Sequence, residues 1–159
     1  MATPEERLAE LGLSVPELVP PVAAYVPARR SRSYVYTSGQ LPMRDGAMVA
    51  TGKVGADVNV EVATECARQA ALNAIAAVRT QVPLSKVAGV VKVVVFVASA
   101  PDFTGQPGVA NGASELLGSA FGEAGQHARS AVGVSVLPLD APVEVELVVE
   151  VAGGSELRK

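Results

Sequence analysis

The chain has 159 residues, and 13 Lys and Arg against 16 Asp and Glu give it a formal net charge of −3. This length suits one domain with its own hydrophobic core. The weak negative charge argues against nucleic-acid binding, which normally rests on a broad basic surface. The single cysteine and the single histidine exclude an intrachain disulfide and argue against a structural zinc site.

No apolar stretch reaches the length of about 20 residues that spans a bilayer, and the acidic N-terminus is unlike a signal peptide. We therefore expect a cytoplasmic protein with no membrane and no nucleic-acid partner. Charged residues make up only 18% of the chain, less than the share of about 25% in an average soluble protein. This shortage indicates that another subunit covers part of the surface.

One domain is predicted over residues 22–152, with an N-terminal extension at 1–21 and a C-terminal tail at 153–159. In the extension, residues 4–12 favour a short helix that a glycine ends. The prolines of residues 14–27 favour an extended path over the surface, because proline interrupts both helices and central strands.

In the first half of the domain, alternating β-branched and aromatic residues predict a strand over Ser33–Ser38, which Gly39 ends. A hairpin follows, with its turn at residues 44–46. The clearest helix is predicted over residues 60–81. Asn59 is its predicted N-cap, because an asparagine side chain can accept a hydrogen bond from an early backbone N–H.

In the second half, residues 87–99 are apolar at nearly every position, which is typical of a central strand covered on both faces. Apolar residues at helical spacing predict a second helix over 110–122, where Asn111 is a capping or turn-fixing residue. Strands are predicted over 128–138 and 142–152, and the short loop between them predicts that they pair antiparallel. The order of elements predicts an α+β fold, with one mostly antiparallel sheet and two helices on one face.

The strand around Arg129 carries the pattern that is most informative about chemistry. Small residues, including Ala131 and Gly133, follow Arg129 on one strand face, and they would leave a hollow beside a guanidinium that can bind a carboxylate with two hydrogen bonds. On the next strand, Glu144 and Glu146 share a face, and either could act as a general acid or base. The simpler alternative is a cross-strand salt bridge between Arg129 and one of these glutamates, and the pattern alone favours it.

Four other residues have a chemical and a plain interpretation. His127 lies two residues before Arg129 and could add a donor or a general base, although a lone histidine at a strand entrance is more often a surface or interface residue. Cys66 is predicted to be a small buried residue in the first long helix, and Asn73 to be a capping or turn-fixing residue. Backbone N–H groups after Gly39 could hold an anion, and a plain turn explains that glycine equally well.

Taken together, these segments resemble the RidA/YjgF family over roughly residues 22–152. Five pieces carry the resemblance in chain order, and as a set they are fairly specific. They are Tyr25; Thr37-Ser38-Gly39-Gln40-Leu41-Pro42; Ala71-Leu72-Asn73; Val95-Phe96-Val97 with Asp102-Phe103; and Ala128-Arg129-Ser130-Ala131-Val132 with Leu137-Pro138 and Val143-Glu144-Val145-Glu146.

The resemblance implies a chorismate-mutase-like protomer in a homotrimer, with pockets between subunits and no metal or organic cofactor. It implies hydrolysis of 2-imino acids or their enamine tautomers to 2-keto acids and ammonia. Carried over to this sequence, Arg129 would clamp the substrate carboxylate, and Glu144 would activate water or shuttle protons to the leaving amine. Ser38 and Gly39 would line the pocket and supply backbone donors. Tyr25 would sit across the subunit boundary.

Several features resemble a longer and less characterised branch of that family. Ala131 stands in the pocket where many members have a cysteine, and His127 replaces the proline that usually precedes Ala-Arg. Asn111 borders the implied site after a lengthened loop at 103–111. Three alternatives remain: a non-catalytic trimer that binds a small carboxylate metabolite, a pathway enzyme acting on a larger carbonyl or imine, and a ribonuclease. The acidic pI and the single histidine argue against the ribonuclease.

Overall fold

Three α-helices and seven β-strands make up the part of the chain that the structure describes, residues 1–18 and 23–153 of a computed structural model. Part of the predicted extended segment, residues 19–22, and nearly all of the predicted tail lie outside these ranges. The helices are α1 (Pro4–Glu10), α2 (Val60–Arg79) and α3 (Gln106–Phe121). The strands are β1 (Ala28–Ser31), β2 (Tyr34–Thr37), β3 (Met43–Arg44), β4 (Ala47–Met48), β5 (Val87–Ala98), β6 (Ala128–Val134) and β7 (Val143–Val151).

Five strands form the main sheet in the order β1-β2-β7-β5-β6, and β3 and β4 form the predicted hairpin beside it. All neighbours in the main sheet run antiparallel except β5 and β6, which are parallel. The mostly antiparallel α+β fold is therefore confirmed.

The predicted pairing of the last two strands is wrong, because β5 lies between β6 and β7. The segment that joins them passes the end of β5, where the backbone N–H groups of Ser99 and Ala98 donate to the carbonyls of Val134 and Pro142. A short connection usually makes a hairpin. Here it carries the chain across β5, which pairs with β7 over residues 87–97.

Helix ends follow local sequence signals. The side chain of Asn59 accepts from the N–H of Val62 at 2.9 Å, which confirms the predicted cap of α2. The predicted start of the second long helix is wrong, because α3 begins at Gln106 and contains Pro107 in its first turn, where a missing N–H costs nothing. Asn111 consequently lies in the second turn of α3 and not at its start.

Strand β1 was missed by the sequence pattern, because its residues Ala28–Ser31 include two consecutive arginines and no apolar alternation. It pairs with β2 at the sheet edge, where one strand side and one face are open to water, so charged side chains cost little.

The two faces of the main sheet have very different surroundings. Helices α2 and α3 pack on one face, where Val93, Val95 and Val97 of β5 are fully buried. On the other face, Tyr36, Val91 and Val132 are 40–49% exposed. The prediction that β5 is covered on both faces is therefore wrong for a single chain. Among the described residues, no helix is long and apolar enough to cross a membrane.

Candidate functional site

The predicted site residues fall into two groups on opposite faces of the sheet. Arg129 is paired with Val93, whose side chain is buried beneath the helices. Glu144 is paired with Phe96, on the face that no helix covers, because paired residues on neighbouring strands point the same way. The predicted cross-strand salt bridge between Arg129 and a glutamate is wrong, because β5 lies between the strands that carry them.

The first group, here called the glutamate group, consists of Ser38, Gly39 and Glu144. Its carboxylate lies directly against the backbone at Gly39, where an added Cβ would overlap the Oε1 atom of Glu144. Two backbone hydrogen bonds hold this approach in place: the N–H of Gln40 donates to Val145 at 2.8 Å, and the N–H of Val145 donates back at 3.0 Å. Only glycine permits this contact.

Ser38 fixes the segment that precedes β1. Its hydroxyl donates to the carbonyl of Val26 at 2.7 Å, and its N–H donates to the carbonyl of Pro27 at 2.8 Å. This segment carries Tyr25, which is 58% exposed. Tyr25 and Gly39 both line a groove of about 680 Å³ between residues 12–18, the β3–β4 hairpin and α2. Tyr25 thus lies near the glutamate group of its own chain.

The carboxyl group of Glu144 has a raised pKa. Its carboxyl is half-buried, and this burial raises its pKa above the ordinary value of 4.5. The like charge of Glu146, two residues along the same strand face, raises the pKa further. A carboxyl with a raised pKa is suited to accept and return protons. Alternation places both glutamates on the open face, but the one that touches Gly39 is Glu144.

The second group, here called the arginine group, consists of Asn111, Ser114, His127 and Arg129. Arg129 donates through Nη1 to Oδ1 of Asn111 at 2.8 Å and to Oγ of Ser114 at 3.2 Å. Its Nη2 points to the carbonyl of Pro107 at 3.4 Å. Positions three apart on a helix share a face, so α3 presents both acceptors to the same guanidinium.

His127 continues this hydrogen-bonded cluster. Its Nε2 lies 2.9 Å from Oγ of Ser114, and its Nδ1 lies 2.6 Å from the carbonyl oxygen of Gly125. The sequence interpretation missed Ser114. Its spacing of three residues from Asn111 within the predicted helix is the signal that could have found it.

The side chain of Gln106 lies close to Gly133, in part of the hollow that the small residues predict. An added Cβ at Gly133 would lie 2.8 Å from Nε2 of Gln106, and that amide donates to Phe103 at 2.8 Å and to Ser99 at 3.2 Å. Ala131 is half-buried and packs against the core.

A buried amide network supports the loop that carries Gly39. The side-chain amide of Asn73 donates to the carbonyls of Leu41 and Met43, each at 2.9 Å, and its oxygen accepts from Gln69 at 3.1 Å. This confirms the turn-fixing interpretation of Asn73.

Cys66 is buried, as predicted, and burial raises the pKa of its thiol to about 11, so that it is a poor nucleophile near neutral pH. Within residues 1–18 and 23–153, no three His, Cys, Asp or Glu side chains lie close enough together to hold a metal ion.

A family model described as "YjgF/chorismate_mutase-like, putative endoribonuclease" matches residues 5–151. The chain belongs to the YjgF family. This confirms the resemblance and the chorismate-mutase-like fold that the sequence motifs predicted.

Individual YjgF-family relatives match nearly the whole chain. The protein TCP17 of Trypanosoma cruzi is 43% identical over 146 residues, which is 91% of each chain. The crystal structure of Atu1372 from Agrobacterium tumefaciens, whose function is unknown, is 44% identical, covers 94% of this chain and 93% of its own, and superposes with a TM-score of 0.88. A Shewanella oneidensis protein that carries the endoribonuclease description is 34% identical, covers 94% of this chain and 100% of its own, and has a TM-score of 0.90.

Proposed function

We propose that this protein hydrolyses small 2-imino acids, or their enamine tautomers, to 2-keto acids and ammonia in clefts between the subunits of a homotrimer. The observation that carries the proposal is the division of the polar residues into two groups on opposite sheet faces. The strand pairing separates Arg129 from Glu144 within one chain, which favours a site that takes each residue from a different subunit. In a cyclic oligomer, the glutamate group of one subunit can face the arginine group of its neighbour.

The uncovered sheet face supports assembly. Tyr34, Tyr36, Val91 and Val132 expose 38–49% of their surface on or beside that face. Exposed apolar surface that is continuous over a sheet is typical of a protein–protein interface. The small share of charged residues in the chain, 18%, fits a surface that a second copy covers.

The proposed chemistry uses two side chains. The guanidinium of Arg129 binds the substrate carboxylate through paired hydrogen bonds. A water molecule held by Glu144 adds to the imine carbon, and its proton passes to the carboxylate. Glu144 then returns the proton to nitrogen, which gives a carbinolamine. Glu144 next takes the hydroxyl proton of this intermediate and passes it to the nitrogen, so that the carbon–nitrogen bond breaks, ammonia leaves and the carbon–oxygen double bond of the 2-keto acid forms. Positioning supplies most of the rate enhancement, and the raised pKa of Glu144 suits these proton transfers.

The endoribonuclease description of the family has less support in this chain. RNA cleavage generally needs an acid–base pair beside cations that bind phosphate. Both ring nitrogens of His127 are already engaged by Gly125 and Ser114, and the formal net charge of the chain is −3.

A coupled assay tests the activity directly. An amino-acid oxidase generates 2-iminopropanoate in place, semicarbazide traps it, and hydrolysis competes with trapping. We expect the wild-type protein to suppress trapping and Arg129→Ala to lose about 100-fold in kcat/KM, because hydrogen bonds to charged groups are the strong ones. Arg68→Ala on α2 is the matched control, and we expect it to retain activity.

Failure of the wild type to suppress trapping would contradict the hydrolase proposal. Calorimetric binding of 2-oxobutanoate that depends on Arg129, without turnover, would then support the non-catalytic trimer. Turnover restricted to bulkier imines would support the pathway enzyme with a larger substrate.

Subunit complementation tests where the site lies. Arg129→Ala and Glu144→Ala proteins are each expected to be nearly inactive alone. After co-refolding in equal amounts, mixed trimers would contain one intact site in three, so activity should recover to about a quarter of the wild-type value. No recovery would show that both residues act within one subunit and would contradict the interface site.

A further inference from the structure

We propose that His127 and Ser114 are positioning residues that fix the guanidinium of Arg129, so that a single edge of it is free for a planar carboxylate. The inference rests on the proposed role of Arg129 as the carboxylate clamp. It assigns a function to the one histidine of the chain, and it defines the direction from which the substrate approaches.

The direction of each hydrogen bond follows from the backbone partner of His127. The carbonyl of Gly125 can only accept, so the Nδ1 atom at 2.6 Å must carry the proton. In the neutral imidazole, Nε2 is then an acceptor. The hydroxyl of Ser114, at 2.9 Å from Nε2, consequently donates to it.

This order turns the lone pairs of Ser114 toward Arg129. Because the hydroxyl of Ser114 donates its hydrogen bond to His127, the lone pairs of Oγ can accept from Nη1 of Arg129 at 3.2 Å. The second proton of Nη1 is donated to Oδ1 of Asn111 at 2.8 Å. Both protons on Nη1 are thus used by α3, and the guanidinium cannot rotate without losing them.

The remaining donors of Arg129 share one edge. Among the described residues, Nε of Arg129 has no hydrogen-bond partner, and Nη2 donates one of its two protons to the carbonyl of Pro107 at 3.4 Å, which leaves the other proton for a ligand. In a guanidinium, the Nε proton and one Nη2 proton point the same way, as a parallel pair that matches the two oxygens of a carboxylate. A 2-imino or 2-keto carboxylate would therefore bind side-on to the Nε–Nη2 edge.

The same contacts argue against a direct chemical role for His127. Each ring nitrogen already has a partner within 2.9 Å, so neither is free to take a proton from water or substrate. His127 acts on the substrate only through Ser114 and Arg129.

The first test needs no activity. The chain carries one histidine, so nitrogen NMR of a sample without a polyhistidine tag reports His127 alone. At neutral pH we expect the tautomer protonated at Nδ1, with an unprotonated Nε2 whose resonance shifts in Ser114→Ala. A tautomer protonated at Nε2, or an Nε2 resonance that does not shift in Ser114→Ala, would overturn the proposal whatever the protein catalyses.

The second test separates positioning from chemistry. In the imine assay, Ser114→Ala should raise KM about tenfold with little change in kcat, because it weakens carboxylate binding through a lost contact worth about 1.4 kcal/mol. Ser114→Thr retains the hydroxyl and should recover most of the affinity. Ser119→Ala, at an exposed position on the same helix, is the control for loss of a helix serine.

An unchanged KM in Ser114→Ala, or an equal loss in Ser114→Thr, would contradict the positioning role. If the wild type shows no turnover, the proposed function fails separately, and the same comparison is made on the Kd of 2-oxobutanoate by calorimetry. A tenfold weaker Kd in Ser114→Ala, recovered in Ser114→Thr, would still support the positioning of Arg129.

Discussion

The glutamate group and the arginine group are built by different means. Glu144 is held by a backbone approach, in which its carboxylate lies against Gly39 and loses part of its contact with water. Arg129 is held by side chains, because Asn111 and Ser114 of α3 accept from one of its nitrogens. The backbone approach raises the pKa of Glu144. The side-chain hydrogen bonds keep the positive charge of Arg129 and fix the orientation of its guanidinium.

In the proposed site, one sheet carries both a group that exchanges protons and a group that binds an anion. A group that must exchange protons benefits from burial, which raises the pKa of a carboxyl. A group that must bind an anion has to keep its charge and its free donors, so it is oriented by neutral acceptors and not by a carboxylate.

The largest effect is expected from Gly39→Ala. The new Cβ would overlap Oε1 of Glu144, so the carboxylate must move away from the loop. A displaced catalytic group can cost about 100-fold in rate, and we expect a loss of that size in kcat/KM in the imine assay. Stability should change little, because the displaced atoms are the end of a flexible side chain.

Gly118→Ala is the matched control for that change. Gly118 lies within α3 with no atom close to an added Cβ, so alanine should stabilise the fold by about 0.5–1 kcal/mol and leave activity intact. Equal activity in Gly39→Ala and Gly118→Ala would mean that the contact between Gly39 and Glu144 is not needed.

An intermediate effect is expected from Asn73→Ala. The substitution removes the side-chain hydrogen bonds to the carbonyls of Leu41 and Met43 and takes away the acceptor of the buried Gln69 amide, and we expect the free energy of unfolding to fall by about 2–3 kcal/mol. Urea denaturation at a fixed protein concentration measures it. Gln126→Ala, at an exposed position, should change stability by less than about 0.5 kcal/mol; a similar loss there would remove the special role of Asn73.

The smallest effect is expected from Glu146→Gln, in the pH dependence of activity. Glu146 raises the pKa of Glu144, and Glu144 must be ionised to accept a proton from water. Removing the like charge lowers that pKa, so the acid limb of the kcat/KM profile should move to lower pH. Glu150→Gln, an exposed position on the same strand, should leave the limb in place. A limb that moves upward in Glu146→Gln would contradict the assignment to Glu144.

The same raised pKa has a consequence for folding. Because the folded chain holds the proton of Glu144 more tightly than the unfolded chain, the contribution to stability is present below the ordinary pKa and is lost as pH rises through the raised value. Glu144→Gln should therefore gain stability relative to wild type as pH is raised from 4 to 7. A gain that shrinks over this interval would contradict the raised pKa.

Much of the fold could be predicted because its signals are local. Asn59 caps α2 through its own side chain, and the turn at Asp45 and Gly46 joins β3 to β4. The sequence pattern places the start of α3 too late, because Gln106 and Pro107 resemble an inserted loop. Ser114 was inside the predicted helix, and its importance depends on the contact with Arg129 of a distant strand, which no local pattern records.

The amino-acid sequence by itself determined the family and most of the helices and strands, because motifs, caps and periodicity depend on neighbours along the chain. Only the tertiary structure decided which residues meet. The insertion of β5 between β6 and β7 separates Arg129 from Glu144, and the register of the two pairings places them on opposite faces. No local pattern records strand order or register. Pairing between distant strands results from burial of the whole apolar face against α2 and α3, and the two groups of the candidate site follow from it.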